Sequence, residues 1–164
     1  MKILIDTREQ DKLDFTLTTG VSVESKCLVT GDYGCLHKDG TMDKAVIERK
    51  SIPDLFSSFT HNYDNEKAKI ERAKKEGIRY ILAIEGSALD VRKGCTYWKG
   101  GEEHRVKKDG LTQLRQIMTL HKRGDIDEVW WCRDRSEMAF MIQEYFLAEE
   151  RIKLKQVQRS TVAG

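Results

Sequence analysis

Glu48 and Lys50 stand two residues apart at the end of a short apolar run, in the segment AVIERKSIPDL (45–55). In an extended strand alternate side chains share a face, so Val46, Glu48 and Lys50 point one way and Ala45, Ile47 and Arg49 the other. The carboxylate and the ammonium are then neighbours about 6–7 Å apart along the strand. Taken alone, such a pair at a strand end is a solvated ion pair of little energetic weight. A third residue changes the reading. Asp32, in GDY, lies at the entrance to a hairpin whose second arm is the Glu48 strand, and hairpin geometry brings Asp32 toward Glu48. Two carboxylates converging in a cleft repel one another unless a cation lies between them. Oxygen ligands of this kind suit Mg²⁺ or Mn²⁺, which polarise a phosphoryl oxygen and lower the pKa of bound water. A lysine beside such an ion orients the attacking water or stabilises charge on the pentavalent phosphate. Asp32, Glu48 and Lys50 are therefore a minimal set for hydrolysing a phosphodiester.

These residues need a sheet to hold them, and the sequence supplies one. KILID reads as a buried strand ending at Asp6, and residues 21–29 as a second strand. Residues 32–50 read as a hairpin with Asp39-Gly40 as turn chemistry. SIPDLFSSF reads as a short helix with Ser51 as N-cap and Pro53 in its first turn. Asp54, three residues after Ser51, is either part of that cap or part of the site. DNEKAKIERAKKEG reads as a charged surface helix closed by Gly77. RYILAIEG is an apolar strand of a sheet interior, with Glu85 at its solvated end. A helix follows, with Leu111, Leu114, Ile117 and Met118 on one stripe, then the strand DEVWWC. The last helix starts near Ser136, with Met138, Met141, Ile142, Tyr145 and Ala148 inward. This order predicts a single α/β domain over residues 1–155, a mixed β-sheet flanked by helices, and a flexible tail over 156–164.

Composition narrows the classes. The chain has 164 residues, enough for a core without staples. Its net charge of +2 is too small to argue for a nucleic-acid partner without local clustering. The four cysteines and four histidines are too scattered for a zinc knuckle. No export signal or membrane span is readable, which predicts free thiols in a reducing cytoplasm. No GxxxxGK[ST] loop and no Ser-His-Asp or Cys-His pattern stands out, so neither a nucleotide cofactor nor a nucleophilic enzyme is expected.

The pattern GDY…ERKSIPD resembles the GD…ERKxxxD signature of the XPF-type structure-specific DNA endonucleases, a branch of the PD-(D/E)xK nuclease superfamily. IDTREQ is similar to that family's opening strand, RYILAIEG to the strand after its charged helix, and DRSEMAFMIQEYF to its last helix. The likeness runs over roughly residues 2–150. It implies a restriction-endonuclease-like fold and a Mg²⁺- or Mn²⁺-dependent DNA endonuclease of repair, recombination or phage DNA processing. Asp32 and Glu48 would be metal ligands and Lys50 the catalytic lysine. Asp6 and Glu9 would be further ligands or outer-shell carboxylates, and Arg8 and Arg49 would contact DNA phosphate or brace the carboxylates. The family also pairs its nuclease domains through its last two helices and the intervening strand, which implies a homodimer here.

Two features depart from the family. Its Gly-Arg pair after the first helix is replaced by Asn62-Tyr63, with Lys69 or Arg72 as candidate stand-ins. Its tandem helix-hairpin-helix domain is not readable before Gly164, so a preference for branched DNA is not carried over. The remaining basic cluster lies over residues 92–108, a Gly-rich stretch read as a flexible loop in which Lys99, Arg105, Lys107 and Lys108 are candidate phosphate contacts beside Tyr97 and Trp98. The competing reading is a non-catalytic DNA- or partner-binding module on the same fold. The complete Asp32, Glu48 and Lys50 set favours the enzyme.

Overall fold

The protein is seen here as a computed structural model that describes residues 1–15, 20–99, 101–106 and 109–162. In chain order the elements are β1 (Lys2–Asp6), β2 (Ser22–Lys26), β3 (Tyr33–Leu36), β4 (Ala45–Ser51), α1 (Ile52–Ser58), α2 (Tyr63–Lys75), β5 (Arg79–Glu85), α3 (Ala88–Lys93), β6 (Thr96–Lys99), β7 (Glu102–Arg105), α4 (Gly110–Lys122), β8 (Glu128–Cys132) and α5 (Arg135–Val162). Six strands form one mixed sheet in the order β2-β1-β3-β4-β5-β8. The β1–β3 and β3–β4 pairs are antiparallel, whereas β2, β5 and β8 run parallel to β1, β4 and β5 respectively. The α/β architecture expected from the sequence is the one observed.

Strand alternation divides the core into two layers. Ile3, Ile5, Tyr33, Ile47 and Ile81 pack on one side against Met138, Ala139, Ile142 and Phe146 of α5. On the other side, Val46, Tyr80, Leu82 and Ile84 lie with Leu55 and Phe56 of α1, Ile70 of α2, and Ile117 and Leu120 of α4. Glu48 and Lys50 share the Val46 face, so they enter the layer between the sheet and α1–α2. The β3–β4 loop is tied to α5 by a buried contact: His37 Nδ1 lies 2.6 Å from Glu150 and Nε2 lies 2.8 Å from Asp43.

Several expectations need correction. The second strand is shorter than residues 21–29, and all five of its residues are exposed at one edge of the sheet. On α4 the inward stripe is rotated: Gln113, Ile117 and Leu120 are buried, whereas Leu111 and Met118 are exposed. On α5, Met141 points outward and Ala139 and Phe146 take the inner positions. α5 itself runs from Arg135 to Val162. The stretch read as a flexible loop begins inside α3, which carries a full Ser87–Asp90 capping box, and continues as the antiparallel β6–β7 hairpin. Among the described residues no helix is long and apolar enough to cross a membrane, and all four cysteines are free.

Candidate active site

The GD pair is positioned by a backbone that only glycine tolerates. Gly31 has φ +74°, and a Cβ there would lie 2.8 Å from Val46 Cβ. This close approach lets the Asp32 amide donate to Ile47 O at 2.9 Å. The Asp32 carboxylate then accepts from the Arg49 amide at 2.8 Å, beside Glu48 on β4. Asp6 joins through its own amide, which donates to Asp32 O at 2.8 Å. The adjacency of Asp32 and the Glu48 strand expected from hairpin geometry is thus observed.

Glu48 is 1% exposed. Its Oε1 accepts from Lys50 at 2.6 Å and also from Lys69. Its Oε2 is buried with no partner. Lys50 is itself held from a second side by Glu66 Oε2 at 3.2 Å, and the Tyr80 hydroxyl donates to Glu66 Oε1 at 2.8 Å. A chain of groups therefore runs from Tyr80 through Glu66, Lys50 and Glu48 to Lys69.

The two site carboxyls are pushed apart. Burial, followed by the negative charge of Glu48, raises Asp32 to about 7. Burial acts against ionised Glu48 as well, but the charges of Lys50 and Lys69 outweigh it and hold Glu48 below its ordinary value. Lys50 stays protonated: burial opposes its charge, but Glu48 and Glu66 raise its pKa.

Of the other expected residues, Asp6, Arg8 and Arg49 lie around this pair. Asp6 accepts from the Arg8 amide and Nε on one oxygen, and from Arg8 Nη2 and the Leu28 amide on the other. Burial acts to raise the Asp6 carboxyl, yet these bonds hold it below the usual range. Both Asp6 oxygens are thus engaged by Arg8 and the Leu28 amide. Arg8 lies half in solvent beside it. Arg49 is only 8% exposed and faces Glu9 at 3.5 Å, Asp11 at 3.2 Å and Glu85 at 3.2 Å. Its guanidinium is engaged by these three carboxylates, and Glu85 is its partner rather than a solvated strand end. Asp54 belongs to the α1 cap: its amide donates to Ser51 Oγ at 3.2 Å and its carboxylate accepts from the same hydroxyl at 2.7 Å. Lys107 and Lys108 lie outside the described residues, and Lys99 and Arg105 are placed by backbone alone, in β6 and β7.

A cleft of about 300 Å³ opens over Asp32, lined by Arg8, Glu9, Thr30, Lys69 and Arg72 among others. Among the described residues no three His, Cys, Asp or Glu side chains gather as a ready ligand set. Asp32 and Glu48 are adjacent carboxylates on neighbouring segments, and such a pair suits Mg²⁺, which takes one or two protein carboxylates and completes its shell with water and phosphate oxygens. The unpartnered Glu48 Oε2 and the repulsion between Asp32 and Glu48 both fit a cation at that point.

Sequence reasoning misses Glu66 as a site residue and offers Lys69 only as a candidate stand-in. The available signal is their spacing: three residues apart, they share one face of α2.

The α/β sheet thus carries Asp32 on a cleft, with the joined Glu48, Lys50, Glu66 and Lys69 beside it. The ERCC4 domain family matches residues 5–145, and the chain belongs to that family. Its fold is that of the XPF nuclease domain. XPF from Aeropyrum pernix aligns with a TM-score of 0.64 at 17% identity, over 98% of this chain and 69% of that one. XPF from Aeropyrum pernix in complex with DNA aligns with a TM-score of 0.61 at 20% identity, over 94% of this chain and 66% of that one. The chain thus spans about two thirds of the length of either structure. Comparison with curated proteins gives no match.

Proposed function

We propose that this chain is a Mg²⁺- or Mn²⁺-dependent DNA endonuclease that hydrolyses phosphodiester bonds. Its place would be in DNA repair, recombination or the DNA processing of a phage or mobile element, and it would act in the cytoplasm. The observation that carries this reading is Glu48: a buried carboxylate with one oxygen unpartnered, next to Asp32, which it repels, and to Lys50. Asp32 and Glu48 would hold the ion. When bound, the cation acts as a Lewis acid toward a phosphoryl oxygen and lowers the pKa of water.

The chain's own residues do the rest. Glu48 and Glu66 fix the Lys50 ammonium between them, so its charge is held in place before phosphate charge develops. Arg49, tied to Glu9, Asp11 and Glu85, anchors the far face of β4 and keeps Glu48 and Lys50 in register. The Asp6–Arg8 pair fixes the floor of the cleft under Asp32. A bound DNA strand would lie along Arg8, Lys69 and Arg72, which line the same cleft. The resemblance also extends to a homodimer. Exposed Phe140, Met141, Leu111 and Met118 on α4 and α5 supply an apolar surface for a second copy.

The test is incubation with labelled single-stranded, duplex, flap, fork and four-way-junction DNA in Mg²⁺, Mn²⁺ or EDTA. Metal-dependent cutting that Asp32→Ala and Glu48→Ala abolish is the expected result. DNA binding without cutting under every condition would return the chain to the non-catalytic reading.

A further inference from the structure

Glu48 carries two ammonium groups on one oxygen, and the two lysines are held differently. Lys50 is 10% exposed in its side chain and lies between two buried carboxylates, Glu48 and Glu66. Lys69 is 36% exposed, lines the mouth of the Asp32 cleft, and has Glu48 as its carboxylate partner. Its backbone, by contrast, is fixed: the Thr30 hydroxyl donates to Lys69 O at 3.2 Å, and Arg72 of the same helix donates to Val29 O at 3.0 Å. α2 is thus fastened to the segment leading into Asp32, while the long Lys69 side chain lines the cleft and reaches Glu48.

Charge points the same way. Asp32, Glu48 and Glu66 face two ammonium groups in this layer, so ionised they leave one negative charge. Adding a divalent ion with Lys69 in place would make the cluster positive. Removing Lys69 from Glu48 as the ion enters would leave it neutral. A long cationic side chain is suited to such an exchange, because its charge sits at the end of a stem with several rotatable bonds.

We propose that Lys69 is a displaceable cation, occupying Glu48 until a divalent ion binds and then turning to a DNA phosphate in the cleft. The inference rests on the metal-dependent nuclease reading. It adds that metal and DNA each favour the other, because both require Lys69 to leave Glu48. By linkage, the factor by which DNA tightens metal binding equals the factor by which metal tightens DNA binding.

Mn²⁺ binding is measured by electron paramagnetic resonance, with and without a short forked duplex carrying phosphorothioate linkages that resist cleavage. The parent should bind Mn²⁺ about fivefold or more tightly when the DNA is present, the lower range of such couplings. Lys69→Met should bind Mn²⁺ more tightly than the parent without DNA, and DNA should no longer improve it. Lys69→Arg should restore the coupling. Arg72→Met, which also removes a cleft charge but not one on Glu48, should leave DNA-free Mn²⁺ affinity near that of the parent. If Lys69→Met and Arg72→Met shift it equally, the effect is general electrostatics and the exchange is wrong. It is equally wrong if Lys69→Met matches the parent with and without DNA while both bind the metal, an outcome that leaves the nuclease reading standing. A parent that binds no Mn²⁺ at all would overturn that reading and the exchange with it. Melting temperatures of the three variants confirm that each is folded.

Discussion

Asp32→Asn separates the charge at this position from its shape. Burial and the Glu48 charge raise the Asp32 carboxyl from 3.8 to about 7. At 1.36 kcal/mol per pKa unit, keeping it ionised costs the metal-free fold about 4 kcal/mol at pH 8. The folded-state value is the higher one, so the associated stability is present below pH 4 and is lost as pH rises through 7. Asparagine cannot ionise, and its side-chain oxygen can still accept from the Arg49 amide. The expected outcome is two thermal-unfolding curves that agree near pH 4 and diverge toward pH 8, with the variant the more stable. For a domain of this size the gain is roughly 8–16 °C in Tm. Circular dichroism in EDTA measures it, and the difference between the proteins removes the acid-unfolding trend common to both. Mg²⁺ should narrow the gap by stabilising only the parent, by about 2.7 kcal/mol at a hundredfold excess over Kd. Parallel curves from pH 4 to pH 8 would refute the account of a carboxylate made costly by burial and by its neighbour.

Lys50→Met should lower the single-turnover cleavage rate on the order of 10²-fold or more, as loss of a preorganised charge-stabilising donor does; an unchanged rate in rapid quench removes Lys50 from the chemistry. Arg49→Ala should destabilise the fold by about 2 kcal/mol in urea unfolding, less than the 3–5 typical of fully buried pairs because Asp11 and Glu85 can turn to water. Neutralising Lys99, Arg105, Lys107 and Lys108 should reduce the slope of log K against log salt on duplex DNA by about 0.9 for each phosphate that then goes without its cation, and an unaltered slope returns the β6–β7 region to ordinary surface. Light scattering at micromolar concentration should give twice the 19.0 kDa chain mass, reduced to one copy by Phe140→Asp; a single-chain mass on concentrating rules the dimer out.

Asp32, Glu48 and Lys50 could be placed together from sequence because a strand has a period of two and a hairpin brings its arms side by side. The α2 half of the site was not legible. Acids and bases at i,i+4 spacing read as a solvated helix, and the burial of Glu66 depends on Tyr80, fourteen residues away and on another element. Similar non-local causes explain the other differences. On α5 both the inner and outer faces carry large apolar side chains, so periodicity could not rank Ala139 and Phe146 above Met141. The β6–β7 hairpin was hidden by glycines and charges that mask strand alternation. Nothing in the local sequence pattern places Asp11 and Glu85 around Arg49.

The buried meeting of His37, Asp43 and Glu150 changes where this domain can be cut. The ERCC4 match ends at residue 145, yet Glu150 reaches back from α5 to His37 and to the Lys38 amide. A chain truncated at the family boundary would leave an imidazole nitrogen and a backbone amide facing an empty position, at about 1–3 kcal/mol for each interior polar group without a partner. It would also free the tip of the hairpin whose second arm carries Glu48 and Lys50. The packed unit of this chain therefore extends beyond its family match, and the last helix is latched to the loop that leads into the strand of Glu48 and Lys50.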